Sequence, residues 1–202
     1  MRRILLVLAT MLAAVLVASG VTLAAPLHSG GKITINDATF DETTQTTTVG
    51  TATPYPSEIV VSGLPGLITD VNVVLRGFSH TFPEDVDMLL IGPSGNLNAI
   101  LMSDVGAGED VRNKTLALDD QATDSLPDSS QITRGTFQPV DYDTEPGDVD
   151  TFPSAPIQGV GSALSIFNNT NPNGTWRLYV VDDANADVGQ LRGWALEITT
   201  TS

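Results

Sequence analysis

Residues 174–200 read GTWRLYVVDDANADVGQLRGWALEITT. The stretches GTWRLYVV and QLRGWALEIT carry apolar side chains at every second position, the period of a strand with one buried face. Trp176, Leu178 and Val180 share one face of the first, and Trp194, Leu196 and Ile198 share one face of the second. Both tryptophans are therefore expected in a core, on two strands read as a closing hairpin. Between the strands Asp182, Asp183 and Asp187 crowd one loop with no lysine or arginine among them. Carboxylates so placed repel one another, and something must compensate.

The same pattern recurs upstream. SEIVVSGL, TDVNVVLRGF, DVDMLLIG, NAILMS, KTLALD and SALSIF are short segments, rich in β-branched or apolar residues and bounded by Gly, Pro, Asn or Asp. KITIN, residues 32–36, alternates as well, whereas ATFDETTQTTTVGTATPYP is Thr- and Gly-rich and reads as a loop or lead-in. No amphipathic helical stripe follows the N-terminal segment. Many short strands with turns between them predict an all-β fold, an antiparallel jelly-roll-like β-sandwich. In IGPSGNLN, Pro93 sets φ and Gly95 and Asn96 tolerate positive φ, so Val86–Ile91 is expected to pair antiparallel with Leu97–Ser103. That register brings Asp85 and Asp87 near Asp104.

The chain opens MRRILLVLATMLAAVLVASGVTLAAP: a basic pair, an apolar run and small residues near Ala24 and Ala25. This is the build of a secretory signal peptide over residues 1–24, and an uncleaved membrane anchor is the alternative. The expected organisation is that signal, an N-terminal strand and Thr-rich lead-in over 25–56, and the sandwich over 57–202. Removing 24 of the 202 residues leaves 178, enough for one domain with its own core.

Nine Lys and Arg stand against 24 Asp and Glu, and the sequence holds no cysteine. The negative field repels phosphate backbones and excludes nucleic acid as a partner, while it attracts cations. Without cysteine there is neither a disulfide nor a thiolate metal site, so stability is expected from the core, from ion binding, or from both. A secreted monomer kept soluble by its charge is the plainest expectation.

Calcium is the sharpest chemical reading, because it takes six to eight oxygen ligands from Asp, Asn and carbonyls in loops. Asp183, Asn185 and Asp187 have the alternate spacing of an EF-hand loop, but Val188 and Trp194 stand where that motif needs Gly and Glu. A composite site is expected instead, drawn from Asp85, Asp87, Asp104, Asp119, Asp120, Asp182 and Asp183 at strand ends. The plainer reading is that Asp terminates strands in any acidic protein. A hydrolase reading finds only His28 and His80 as bases and no GxSxG elbow, and Asp85 with Asp87 is only a weak glycosidase pair. A lectin-like jelly roll would use exposed aromatics, with Tyr55, Phe82, Tyr142 and Phe152 in loop contexts.

His80-Thr81, Asp85 and the Pro93/Gly95 turn, followed by Pro172, Gly174, Trp176, Leu178, Val180, Asp187, Gly189, Leu191, Trp194 and Leu196, form an ordered set. From about Ser57 to Thr200 the chain resembles the P domain, or P/Homo B domain, of kexin- and furin-type proprotein convertases. It departs from that pattern at Glu84, where glycine is usual, and at Asn96, where threonine is common. The resemblance implies a jelly-roll sandwich that stabilises a subtilisin-like protease and influences its calcium and pH response. The 202 residues have no room for the catalytic domain that precedes a P domain in convertases. The implied role is an accessory or extracellular interaction module without a triad of its own.

Overall fold

The computed structural model describes residues 27–142, 150–159 and 161–201. The expected signal peptide lies outside them. Among the described residues fourteen strands follow in chain order: β1 (Leu27–Gly30), β2 (Ile33–Ile35), β3 (Thr39–Asp41), β4 (Thr46–Thr48), β5 (Gly50–Thr51), β6 (Ser57–Val61), β7 (Ile68–His80), β8 (Val86–Ile91), β9 (Asn98–Met102), β10 (Val111–Leu118), β11 (Gly135–Phe137), β12 (Gly174–Asp182), β13 (Gly189–Leu191) and β14 (Gly193–Thr200). One sheet runs β1-β14-β7-β10-β11, with β13 pairing β7 and β2. The other runs β5-β12-β8-β9, with β6 also on β12. Pairing is antiparallel throughout except between β10 and β11. The result is an all-β sandwich.

The inner faces meet in one apolar core. Val71, Val73, Leu75, Leu116, Leu118, Trp194, Leu196 and Ile198 from the first sheet face Met88, Leu90, Leu101, Trp176, Leu178 and Val180 from the second. Both tryptophans are fully buried, and each indole N–H finds an acceptor: Trp176 donates to the Pro172 carbonyl at 3.0 Å, and Trp194 to Ser57 Oγ at 2.8 Å. A buried indole without such a partner would cost free energy, so these bonds fix both rings.

Strands β12 and β14 are not hairpin partners. β12 pairs with β8 and β6, whereas β14 pairs with β7 and β1 in the facing sheet. After loop 183–188 the chain crosses through β13, where Gly189 opposes His80. Their two apolar faces look at each other across the core. Alternation says which side chains are buried but is silent on the neighbouring strand.

The β8–β9 hairpin forms in the expected register, with Ile91 opposite Asn98, Leu90 opposite Ala99 and a bulge before Met102. Two segments differ from expectation. SALSIF holds a 3-10 turn, Leu164–Phe167, rather than a strand, because the Asp120 carboxylate accepts the Leu164 and Ser165 N–H groups at 2.8 Å each. The Thr-rich stretch forms the β3–β4 hairpin, whose residues are all exposed, and then β5 on β12. Threonine is β-branched and suits strands.

The second sheet is apolar on its outer face too. Leu89, Ile91, Ile100, Tyr179 and Val181 pack under Phe152, with Ala155 and Ile157 beside it. That cover explains why every residue of β8 and β9 is buried.

Candidate functional site

The long strand β7 runs the length of the sandwich, from Asp70 near one end to His80 at the other, and the acidic residues sort to its two ends. At the His80 end, β8 begins as β12 finishes, with Val86 opposite Asp182 and Asp87 opposite Val181. Asp182 is 0% exposed and faces inward, where His80 Nε2 lies 3.1 Å from its Oδ2. This contact spans the two sheets. His80 Nδ1 stands 2.8 Å from the Phe82 carbonyl and accepts from the Phe82 N–H at 3.2 Å in its neutral form. Gly189 lies against the imidazole, where a Cβ would collide with the ring. Asp182 Oδ1 is buried without a hydrogen-bond partner.

Asp85 closes the 3-10 turn Pro83–Asp85, and its carbonyl accepts the Asp183 N–H at 3.0 Å. Its carboxyl is pushed up to about 7, first by burial and then by the charges of Asp182, Asp183 and Asp187, with His80 opposing. Asp87 points to the outer face and is 3% exposed. Burial holds its carboxyl well above the ordinary range, and the charges of Asp150, Asp183 and Asp104 add to the effect. Asp104, at φ 54°, accepts from Ser103 Oγ at 2.9 Å. Loop 183–188 is held from outside: the Asp37 carboxylate accepts the Ala186 N–H at 2.9 Å, and Val188 N–H donates to Thr81 Oγ1 at 3.1 Å.

The fold thus brings Asp85, Asp87, Asp104, Asp182 and Asp183 to one end. Asp119 and Asp120 lie at the other, beyond β10. Asp119 Oδ1 accepts the Gln121 N–H at 2.7 Å, Asp120 caps the 3-10 turn, and their charges act on Asp70, whose carboxyl is raised mainly by burial. Three further residues at the same end were not part of the sequence-derived set: Asp150, Asp187 and His80. Asp187 was visible in the opening stretch. The His80–Asp182 pair spans 102 residues, and only the fold reveals it.

Carboxylates are the right donors for calcium in kind. The buried Asp182 Oδ1, which no proton donor satisfies, is the atom that fits a cation best. As placed, no three His, Asp or Glu side chains among the described residues are grouped so as to hold a metal ion. For acid–base chemistry, both ring nitrogens of His80 are occupied by Phe82 and Asp182, and the ring is buried. The aromatics considered for sugar stacking are committed elsewhere. Phe152 is 0% exposed, Tyr55 meets Tyr179 edge-on at 5.1 Å, and Tyr142 donates to the Leu126 carbonyl. Phe82 is half-buried beside Gly108. Flat exposed platforms of the kind a sugar needs are not formed by these four residues.

A serine protease of Aeromonas sobria is similar at 16% identity over 90% of this chain and 28% of that one, with a TM-score of 0.37. The same protease in complex with its chaperone matches at 15% identity over 87% and 27%, with a TM-score of 0.36. This chain therefore spans less than a third of those proteins. No curated protein sequence matches. The profile of the proprotein convertase P-domain matches residues 68–198, from the start of β7 to the last core residue of β14. The chain belongs to the proprotein convertase P-domain family.

Proposed function

We propose that this chain is a secreted, non-catalytic P-domain module that accompanies a subtilisin-like serine protease and is stabilised by calcium at its His80 end. The observation that carries the ion reading is the gathering of Asp85, Asp87, Asp104, Asp182 and Asp183, two of them with carboxyls raised by burial and mutual repulsion. Calcium there would offset the mutual repulsion of these carboxylates. Asp182 would contribute Oδ1 while keeping Oδ2 on His80. Asp85 and Asp183, already tied through the main chain, would contribute carboxylates from the entrance. Protease association is supported by family membership.

The test is a functional one. The purified chain is added to a subtilisin-like protease from the same source, and the protease's inactivation half-life is measured in millimolar calcium and in EDTA. The proposal expects co-elution and a longer half-life in calcium, with no peptidase activity from the chain alone. Peptide hydrolysis by the isolated chain, lost on His80→Ala, would overturn the non-catalytic reading.

A further inference from the structure

Outside residues 1–24 the chain holds seven Lys and Arg, and five of them stand in one row across the first sheet. Lys32 precedes Ile33, which opposes Leu191, so the next pair of that register is Lys32 with Arg192. The Arg192 N–H donates to the Arg76 carbonyl at 2.9 Å, and its stem lies on Gly77, where a Cβ would collide with it. Lys114 opposes Phe78, two residues along β7 from Arg76. Arg134 precedes Gly135, which opposes Leu116 on β10. The row runs from β2 through β13, β7 and β10 to β11, a span of about 19 Å.

None of these five side chains forms an ion pair or hydrogen bond among the described residues, although the chain carries 24 Asp and Glu. The other two cations, Arg112 and Arg177, are paired with Asp110 and Glu58. Lys32, Arg134 and Arg192 are exposed, and Arg76 and Lys114 are half-buried. Like charges on neighbouring strands repel one another. Glu197, the acid on β14, opposes Asn72 and lies four residues from Gly193, about 13 Å along the strand. That exceeds the screening length of about 8 Å at physiological salt. Beside the row lies a cavity of about 410 Å³ whose lining includes Ser79, Asn113 and Gln190. The carboxamides of Asn113 and Gln190 make no hydrogen bond among the described residues. The Ser79 hydroxyl accepts the Asn113 N–H at 2.8 Å and keeps its own proton to donate.

We propose that this face binds a linear acidic polysaccharide, a chain of uronic acid rings laid across the strands along the row. Its carboxylates meet the five cations, and its ring hydroxyls enter the cavity at Ser79, Asn113 and Gln190. The direction of the row selects this occupant. A polypeptide lying across the strands forms no ladder hydrogen bonds with them, and in extended form it turns alternate side chains away. A uronic acid chain carries a carboxylate on every ring, together with the hydroxyls that carboxamides recognise. A nucleic acid long enough to bind would also meet the carboxylates at the ends of the sandwich. The site stands whether or not the His80 end holds calcium and whether or not the chain accompanies a protease.

The probe is a galacturonic acid hexasaccharide, titrated in EDTA to millimolar concentration into the ¹⁵N-labelled protein while the Arg76, Arg192, Asn113 and Gln190 resonances are followed. The expected result is a saturable shift of all four, weakening as salt rises. Maltohexaose, which is uncharged, and hexaglutamate should each bind at least about tenfold more weakly. Arg76→Gln combined with Arg192→Gln should lose at least about tenfold in affinity. Arg177→Glu, the same change in net charge on the other sheet, should keep the native affinity. Lys32→Gln combined with Arg134→Gln, at the exposed ends of the row, should weaken binding too and keeps the test decisive if the first pair fails to fold. No saturable shift, equal binding of maltohexaose, or an equal loss in Arg177→Glu would overturn the proposal. Tighter binding of hexaglutamate or of a DNA hexamer would overturn it in favour of another polyanion.

Discussion

Asp120 and Asp85 are the same residue type at opposite ends of one sandwich, and their carboxylates have opposite surroundings. Asp120 accepts two main-chain N–H groups and thereby shapes the 3-10 turn Leu164–Phe167. Asp85 faces Asp182, Asp183 and Asp187 and has a single nearby histidine as counterweight. An aspartate supplied with donors holds the fold together. An aspartate facing other aspartates works against the fold until something positive arrives. The acidic residues are thus divided between carboxylates supplied with donors and carboxylates that repel one another, and position along β7 separates the two.

The largest expected effect would break this division at its hinge. His80→Ala leaves Asp182 buried and unpaired between the sheets, at a cost of about 3–5 kcal/mol. The melting temperature should then fall by about 6–20 °C in EDTA. Calcium should recover part of that loss, because the proposed ligand Asp182 is retained. Next comes Asp120→Ala, which strips the charge-assisted bonds from the 3-10 turn and costs about 2 kcal/mol. The fall of about 4–8 °C should be the same in EDTA and in calcium, because the proposed ion site lies at the other end of the sandwich. A calcium increment that disappears in Asp120→Ala would erase the distinction between the two ends.

A smaller effect sharpens the comparison through pH. The Asp85 carboxyl titrates at about 7 in the fold, against 3.8 in an unfolded chain. Between those values the native state holds the extra proton, so the stability linked to this group falls as pH rises from about 4 to 7. Asp87, raised in the same direction, adds to the slope. Without calcium the protein should therefore melt higher at pH 5 than at pH 7.5, by about 5 °C. Asp85→Asn should flatten this slope and raise the EDTA melting temperature at pH 7.5 by about 3 °C, at the expense of the calcium gain. Thermal melts across pH, read by circular dichroism, check both.

What the sequence makes legible follows from the range of each signal. Alternation and turn chemistry act over a few residues, so the strands, the buried tryptophans and the β8–β9 register can be read directly. Sheet membership cannot, because β12 and β14 have equivalent apolar faces and only the crossing through β13 separates them. The same limit governs the site. Asp85, Asp87 and Asp104 are joined by one hairpin, and their proximity follows from its turn. Asp119 and Asp120 end a strand just as Asp182 does, and nothing local reveals that β10 and β12 deliver them to opposite ends. Phe152 looks like a loop aromatic until the outer apolar face of β8 and β9 shows what it covers. The pairing of His80 with Asp182 has no sequence signature.

The most direct measurement is the melting temperature of the protein at pH 7.5 in excess EDTA and then in millimolar calcium, for the native sequence and for Asp85→Asn combined with Asp87→Asn. At a hundred times its dissociation constant a bound ion adds about 2.7 kcal/mol to the native state. The account predicts a rise of about 5–11 °C for the native protein and none for the double variant. Equal melting temperatures for the native protein in both buffers, or an undiminished rise in the double variant, would contradict it.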